Sequence, residues 1–167
     1  RIQKPKEGEY NPYAIMYIKL LPDDGLVLQY LKDNFNIVKN FIQSLPPDKL
    51  TYRYAENKWT IKEILVHIMD DERIYAYRAL RIARNDKTPL PGFEQDDYVP
   101  FSKANQRSLA SVFKEYKTVR QATLSLFTSF NHEDHLKIGT ANDHPVSVRA
   151  LAYHIAGHEL HHLNIIK

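Results

Sequence analysis

The sequence predicts an all-α fold, a four-helix bundle with an irregular N-terminal strap over residues 1–22. Apolar residues recur at spacings of three and four in four long stretches, and the nine prolines all lie outside those stretches. No stretch shows the sustained alternation of apolar and polar residues that marks a half-buried strand. A length of 167 residues is typical of one domain, so we expect residues 1–167 to form a single bundle domain.

The four predicted helices span residues 24–44, 60–84, 105–130 and 147–167. Asp23 or Asp24 can cap the first helix, and Pro46–Pro47 ends it. Thr60 and Glu63 form a capping-box pattern at the start of the second helix. The fourth helix is predicted to face the core with Val148, Leu151, Ile155, His158, His162 and Ile165. Four amphipathic helices joined by loops of differing length favour a helix bundle.

Irregular segments complete the predicted fold. The strap is rich in proline, tyrosine and lysine, and we expect it to pack through Tyr10, Tyr13 and Tyr17. Residues 86–104 form a long loop that either covers one end of the bundle or lines a functional pocket, because loops of this length are uncommon in compact domains. Residues 51–54 could be a short extended piece, which is too short to build a sheet.

Composition excludes several classes of protein. The absence of cysteine excludes a disulfide framework and a thiolate metal site. A net charge of +3 is small for a dedicated nucleic-acid binder, and no apolar run is long enough to span a membrane. We therefore expect a cytoplasmic protein without nucleic-acid or membrane partners. Two basic clusters are expected to be solvated helix faces, with an anionic substrate or partner as the alternative: Arg78, Arg81 and Arg84, and Lys114, Lys117 and Arg120.

Histidines are concentrated at the end of the chain. Four of the eight lie between His154 and His162, and His158 and His162 occupy core-facing positions at i and i+4. A buried imidazole needs partners for its nitrogens, which hydrogen bonds or a metal ion can supply. His67 occupies a similar apolar position on the second helix. Since facing helices of a bundle direct side chains to one point, these three imidazoles predict a His₃ metal site.

A His₃ set leaves a position open for water or substrate, as in catalytic zinc sites. Asp71, or alternatively Asp70, is the expected carboxylate partner that orients an imidazole. His154 lies one turn before His158 and could be a further ligand, a partner of a ligand or a general base.

The remaining histidines have weaker claims on the site. His161 is expected to be peripheral, because its side chain points about 100° away from that of His162. The histidines before the last helix are expected to be exposed: His132, His135 and His144. Gly157 indicates a close helix approach, room for a ligand, or a tolerated defect that costs about 1 kcal/mol relative to alanine.

His158 to His162 also match H-E-x-x-H, the zinc metalloprotease motif in which Glu159 would be the general base. That motif needs a third ligand, usually downstream, and residues 163–167 contain no usual zinc ligand. The strand with which protease clefts bind peptide is also not visible. A metalloprotease is therefore the remotest of the functions considered.

Four segments of the chain resemble the DinB/YfiT-like superfamily. Trp59–Arg73 resembles the second-helix signature of that family, and Leu151–His162 resembles its last helix. Pro89–Phe93 is similar to the loop between its second and third helices, and Glu9–Tyr13 to the opening of family members. The similarity touches most of the chain, and the segments occur in the family's order.

The resemblance implies an up-down-down-up bundle, often a homodimer, that holds a divalent metal such as zinc or nickel. The implied ligands in this chain are His67, His158 and His162. Characterised relatives include metal-dependent transferases and isomerases that use low-molecular-weight thiols such as bacillithiol or mycothiol, and many relatives have no known activity.

Two functions follow as expectations. The first is a metal-dependent enzyme of the thiol S-transferase, isomerase or hydrolase type that acts on a small molecule. In it Asp71 would orient His67, His154 or Glu159 would move protons, and the loop at 86–104 would line the pocket. The alternative is a non-catalytic, dimeric metal-binding or stress-response protein whose ion stabilises the bundle.

Overall fold

The computed structural model describes residues 1–53 and 55–167. In chain order its α-helices and β-strands are α1 (Ile15–Ile18), α2 (Val27–Gln43), α3 (Ile61–Ala83), α4 (Gln95–Tyr98), α5 (Leu109–Ser129), α6 (His132–Leu136), β1 (Ile138–Ala141), β2 (His144–Ser147) and α7 (Val148–Ile166). The long helices α2, α3, α5 and α7 match the four predicted stretches to within a few residues at each end. The predicted four-helix bundle is therefore confirmed.

Local hydrogen bonds explain where three of the long helices begin. The Thr60 hydroxyl accepts from the Glu63 amide and the Glu63 carboxylate accepts from the Thr60 amide, which is the predicted capping box of α3. Ser108 caps α5 and Ser147 caps α7 through their hydroxyl oxygens. Each cap satisfies backbone donors that the first turn of a helix would otherwise leave unpaired.

The predicted cap of α2 is wrong. Leu26 occupies the cap position and makes no side-chain capping bond. Asp24 instead accepts from the Leu26 amide at 3.0 Å, within the turn that precedes the helix. The carboxylate thus stabilises the approach to the helix rather than its first turn.

Helix α7 lies at the centre of the molecule. It packs against α1, α2 and α3, and every residue from Val148 to Glu159 is buried. The predicted single core-facing stripe is therefore wrong for most of this helix, since neighbours surround it. Ile165, the last member of that stripe, is 55% exposed, whereas Leu163 and Ile166 on either side of it pack against the core.

The N-terminal strap crosses α7 and is anchored by apolar and polar contacts. Ile2 and Ile18 are buried in the core, and α1 packs directly on α7. The Glu9 carboxylate accepts from the Arg149 side chain at 2.8 Å, which ties the strap to the start of α7. Tyr10 packs against the core as predicted, but Tyr13 is 65% exposed, so its predicted anchoring role is wrong.

Strands β1 and β2 form an antiparallel hairpin that the sequence did not predict. Its turn residues Asn142 and Asp143 both have positive φ, as a two-residue hairpin turn requires. Leu90 exchanges backbone hydrogen bonds with Thr140 and Asn142, at 2.9 Å each. The loop at 86–104 is therefore held against the hairpin.

The short extended piece predicted at 51–54 includes residue 54, which lies outside the described residues. Within the described part of that piece, Thr51 ends a 3-10 helix and Tyr52 has extended backbone angles. No helix in residues 1–53 or 55–167 combines the length and apolar character that crossing a membrane requires.

Candidate metal centre

The three predicted imidazoles converge. His158 Nε2 lies 3.1 Å from His67 Nε2 and 3.2 Å from His162 Nε2. One ligand atom from each of the three histidines falls within 4.8 Å of the others. The structure thus brings together the three histidines that the sequence predicted, two from their helical spacing on α7 and one from its apolar position on α3.

Helix geometry and packing position these rings. His158 and His162 stand one turn apart on α7, and His67 faces them from α3, the helix with which α7 makes its most extensive contact. The Trp59 ring lies 4.9 Å from the His67 ring, just before α3 begins. The imidazoles are therefore held by rigid elements, which favours a preorganised site.

Asp71 orients His158 rather than His67. Its Oδ2 lies 3.3 Å from His158 Nδ1 and 3.1 Å from His154 Nε2. The prediction that Asp71 orients His67 is wrong: the i, i+4 spacing places both on one face of α3, but the Asp71 carboxylate contacts the imidazoles of α7 and makes no hydrogen bond to His67 among the described residues. Asp70, the alternative partner, makes no contact with the histidines and lies beside Arg73 and Glu115 instead.

The charge states of these groups suit metal binding. Burial, chiefly, lowers the pKa values of His67 and His158, and it lowers that of His162 to about 3. Burial alone would raise the pKa of Asp71, but the neighbouring His158 and His154 outweigh it and lower that pKa. Near neutral pH the site therefore combines neutral imidazoles with an ionised carboxylate.

The tautomer of His158 follows from these charges. An ionised carboxylate repels a lone pair and attracts an N–H, so the Asp71 oxygen 3.3 Å away favours the tautomer of His158 with its proton on Nδ1. His158 Nε2 then has one lone pair, while two other Nε2 atoms face it. One lone pair accepts one hydrogen bond, but a cation can be shared by lone pairs from all three rings.

The spacing of the ring nitrogens also fits a metal ion. Zinc–nitrogen bonds of about 2.0–2.1 Å at tetrahedral angles separate the ligand nitrogens by about 3.3 Å. The two measured Nε2–Nε2 distances, 3.1 and 3.2 Å, lie close to that value. Geometry and donor chemistry therefore agree that His67, His158 and His162 could hold a divalent ion.

Asp71, His154 and His158 form a second group with converging ligand atoms. The two groups share His158, which offers Nε2 to the first and Nδ1 to the second. In the second group His154 Nε2 lies at an ordinary hydrogen-bond distance from the Asp71 carboxylate, 3.1 Å, and His158 Nδ1 lies slightly farther from the same oxygen, at 3.3 Å. We therefore interpret it as the support of the first group, a carboxylate–histidine–metal arrangement.

His154 lies on the wall of a cavity of ≈230 Å³ beside this centre. Its ring stacks on Tyr75 at 3.8 Å and meets the edge of Tyr17 at 5.0 Å. Asp71 and His158 line the same cavity. Of the roles predicted for His154, its bond to Asp71 makes it a partner of the group that orients a ligand.

Glu159 does not reach the histidine cluster. Its carboxylate accepts from the Arg120 guanidinium at 2.6 Å and also from the Tyr116 hydroxyl, deep between α5 and α7. The predicted proton-transfer role of Glu159 and the H-E-x-x-H interpretation are therefore corrected, since the carboxylate points into the core. Arg120, predicted as part of a solvated face, is 2% exposed and also pairs with Glu72.

The remaining histidines agree with expectation only in part. His161 contacts the Tyr17 ring at the edge of the cluster, in keeping with a peripheral place. His132 is exposed as predicted, but His135 is buried beside Phe130. His144 is partly buried in β2 and lines the cavity. Its position could not be inferred without the hairpin.

Other walls of the cavity come from the loop at 86–104 and from α3. Part of the loop at 86–104 does line the cavity, through Gly92, Phe93 and Gln95. Arg78 lines it too, although its basic cluster was expected to face solvent. The sequence does contain one indication of this position: Arg78 follows Asp71 by seven residues, which places both on one face of α3.

Several known proteins are similar to this chain. A protein of Oceanobacillus iheyensis that carries the provisional name of a metal-dependent hydrolase is 27% identical over 143 residues, covering 84% of this chain and 81% of that protein. YfiT of Bacillus subtilis is described as a probable metal-dependent hydrolase with an unusual four-helix bundle topology. It superimposes with a TM-score of 0.78 at 13% identity, over 98% of this chain and 89% of that one.

A second solved structure, the DinB-like protein YjoA of Bacillus subtilis, matches with a TM-score of 0.59 at 17% identity. That match covers 84% of this chain and 85% of YjoA. At such identities the structural matches establish the fold. The model of the DinB superfamily matches residues 30–166, which is most of the chain, and the chain therefore belongs to the DinB superfamily.

Proposed function

We propose that this chain is a metal-dependent hydrolase that acts on a small molecule. The observation that carries the proposal is the convergence of three neutral imidazole nitrogens around His158, whose ring also lines a cavity of ≈230 Å³. Three protein ligands leave a coordination position open, as catalytic sites do and structural sites usually do not. The descriptions of the Oceanobacillus relative and of YfiT as metal-dependent hydrolases support the same activity.

His67, His158 and His162 would hold the ion. Imidazole ligands suit zinc and nickel, among other divalent metals, so either could be the native ion. When bound, such an ion supplies Lewis acidity, which polarises a carbonyl and lowers the pKa of water to near neutrality.

The chain's other residues would prepare the site for this chemistry. Asp71 would orient the ring of His158 through its carboxylate 3.3 Å from Nδ1, so that Nε2 presents its lone pair. His154 lines the cavity beside Asp71 and is hydrogen-bonded to it, with its ring held flat against Tyr75. It is therefore placed to pass a proton between the cavity and the carboxylate.

Two other functions use the same residues. A thiol S-transferase or isomerase would differ in its nucleophile, a low-molecular-weight thiol in place of water. A non-catalytic metal-binding protein would be favoured by a fourth protein ligand on the ion. No fourth ligand atom joins His67, His158 and His162 in the part of the chain that the structure describes.

A turnover screen tests the proposal. Protein without a histidine tag, loaded with zinc or nickel, is assayed on panels of esters, amides and lactams, with and without bacillithiol or mycothiol. We expect thiol-independent hydrolysis of at least one class, which chelation and His158→Ala abolish. His132→Ala, at an exposed histidine, is the matched control and should behave as wild type.

The screen also separates the alternatives. Turnover that requires a thiol would replace the hydrolase with a transferase. Turnover that survives both chelation and His158→Ala would overturn the metal-dependent mechanism. Absence of any turnover in a protein that binds metal would favour the non-catalytic alternative.

A further inference from the structure

Arg78 is a buried cation on the wall of the cavity. Its side chain belongs to α3, is 5% exposed and lines the same space as Asp71 and His158. The guanidinium donates a hydrogen bond from Nη2 to the Pro91 carbonyl at 3.0 Å and is also hydrogen-bonded to the Tyr75 side chain. Its central carbon lies 4.9 Å from the centre of the Tyr75 ring and 5.9 Å from that of Phe93. Two aromatic rings and a carbonyl thus hold the group in place.

No carboxylate neutralises this cation within the described residues. The other well-buried arginines do have acidic partners, since Arg120 pairs with Glu72 and Glu159 and Arg149 pairs with Glu9. Arg81, three residues along the same helix, pairs with Asp86 at the surface. Burying an unpaired charge is costly, so an arginine kept in this state indicates an anion that arrives from outside.

The chemistry of the free guanidinium defines the class of anion. Arginine has five N–H donors in a planar fork, and the Pro91 carbonyl accepts from one nitrogen. The remaining donors can bind two oxygens of one group in parallel, the geometry of a carboxylate or a phosphate. The rings of Tyr75 and Phe93 lie against the guanidinium. An oxyanion would therefore bind at the N–H edge of the group.

The position of Arg78 relative to the histidines sets the orientation of a ligand. Arg78 follows Asp71 by seven residues, which is two helical turns, or about 10.5 Å along α3. Tyr75 lies between them, with Arg78 over its ring and the His154 ring stacked on it. A ligand whose oxyanion sits at Arg78 would therefore extend past Tyr75 and His154 towards His158.

We propose that the cavity recognises small molecules bearing a carboxylate or phosphate, which Arg78 binds, so that the group to be hydrolysed lies towards His158. The binding of the oxyanion stands on Arg78 and the cavity alone. Only the orientation of the reacting group rests on the proposed hydrolase function.

The binding test uses glutarate and inorganic phosphate as probes on chelator-treated protein, by calorimetric titration. Removing the charge in Arg78→Met should weaken binding of the preferred probe about tenfold to a hundredfold, as loss of a charged hydrogen-bonding group does. Arg78→Lys keeps the charge but loses the paired donors, so we expect an intermediate loss. Arg81→Met is the matched control on the same helix and should bind as wild type.

The outcomes decide the proposal and the identity of the anion. Stronger binding of glutarate identifies a carboxylate ligand, and stronger binding of phosphate identifies a phosphate ligand. Wild-type protein that binds neither probe overturns the proposal, as does equal binding by wild type, Arg78→Lys and Arg81→Met. The lysine variant keeps the test decisive if Arg78→Met does not fold.

A second arm separates this inference from the hydrolase itself. Zinc-loaded protein is assayed on 4-nitrophenyl butyrate and on the mono-4-nitrophenyl ester of glutarate. We expect Arg78→Met to lower kcat/KM for the anionic ester at least about tenfold more than for the neutral ester. Equal effects on both esters overturn the orientation. Arg78-dependent glutarate binding without hydrolysis of either ester would refute the hydrolase and preserve the anion site.

Discussion

At the scale of single residues, His158 links the predicted metal ligands to their support. Its Nε2 faces His67 and His162, and its Nδ1 faces Asp71. The carboxylate is buried and also bonded to His154, so it cannot turn away without losing both imidazole partners. Orientation of the central ligand therefore depends on a single charged group.

The variant Asp71→Asn tests this dependence. The amide oxygen can still accept from Nδ1, but the negative charge that strengthens the bond is gone, so we expect metal affinity to fall about tenfold to a hundredfold. A competition titration with a metal-sensitive dye measures the change. Asp70→Asn alters the neighbouring carboxylate, which does not contact the histidines, and should bind metal as wild type. Equal affinities in the two variants would show that Asp71 does not orient His158.

The candidate site residues were predicted from the sequence where the spacing within a single helix was sufficient to identify them. Spacing on α7 and an apolar setting on α3 selected His67, His158 and His162, and the structure brings these three together. The partner of Asp71 was misassigned because its contact is made across helices. Arg78 was assigned to solvent because a basic cluster looks the same in sequence whether one member is buried or exposed.

At the scale of elements, α1 and α7 approach each other unusually closely at Gly157. A methyl group there would lie 2.2 Å from the Tyr17 carbonyl oxygen. Of the explanations offered by the sequence, the structure selects close approach between helices. The contact also fixes Tyr17, whose ring lies against His154 and His158.

The variant Gly157→Ala should therefore destabilise the protein. Overpacking against a backbone carbonyl costs about 1–3 kcal/mol, which exceeds the gain of about 1 kcal/mol in helix propensity. We expect the free energy of unfolding to fall by about 1–2 kcal/mol in urea titrations. Asn164→Ala, at an exposed position of α7, reports the propensity gain alone. Stabilisation of both variants would contradict the close contact.

A buried charge cluster joins side chains of α3, α5 and α7 in the core of the bundle. Arg120 pairs with both Glu72 and Glu159, and all three are nearly inaccessible. Arg120→Met should lower the free energy of unfolding by about 3–5 kcal/mol, because it leaves two buried carboxylates without their cation. Urea titration measures the loss, with the exposed Lys117→Met on the same helix as control. A loss no larger than that of the control would refute this role.

Element-level prediction succeeded for long periodic helices and failed for short elements. Val27–Gln43 and Ile61–Ala83 were recognised because several turns repeat the same apolar pattern. The hairpin was missed because each strand has four residues and the second contains Pro145. Its position also depends on Leu90, which is distant in sequence.

At the scale of the whole molecule, the core does not depend on a metal. Two extensive clusters of buried apolar side chains fill the bundle at either end. The site lies where α3 and α7 meet, with the strap and the loop at 86–104 around the cavity. Three predictions at this scale stay predictions: that the chain is a single domain, that it forms a homodimer and that it is cytoplasmic. The last two depend on a second copy of the chain and on the cell.

We expect the metal-free protein to stay folded and zinc to stabilise it. An ion that binds only the folded state at a hundred times its Kd adds about 2.7 kcal/mol. For a chain of this size that raises Tm by about 5–11 °C. Circular dichroism of chelated and zinc-loaded protein measures the shift, which His158→Ala should remove. Unfolding on chelation alone would contradict a core that is independent of the ion.

The most direct test of the central claim is elemental analysis of protein purified without a histidine tag. The account predicts about one divalent metal ion per chain in wild type and in the exposed-histidine control His132→Ala, and little or none in His158→Ala. Wild-type protein without metal after exposure to zinc and nickel, or His158→Ala that retains the full amount, would contradict a metal centre built on His67, His158 and His162.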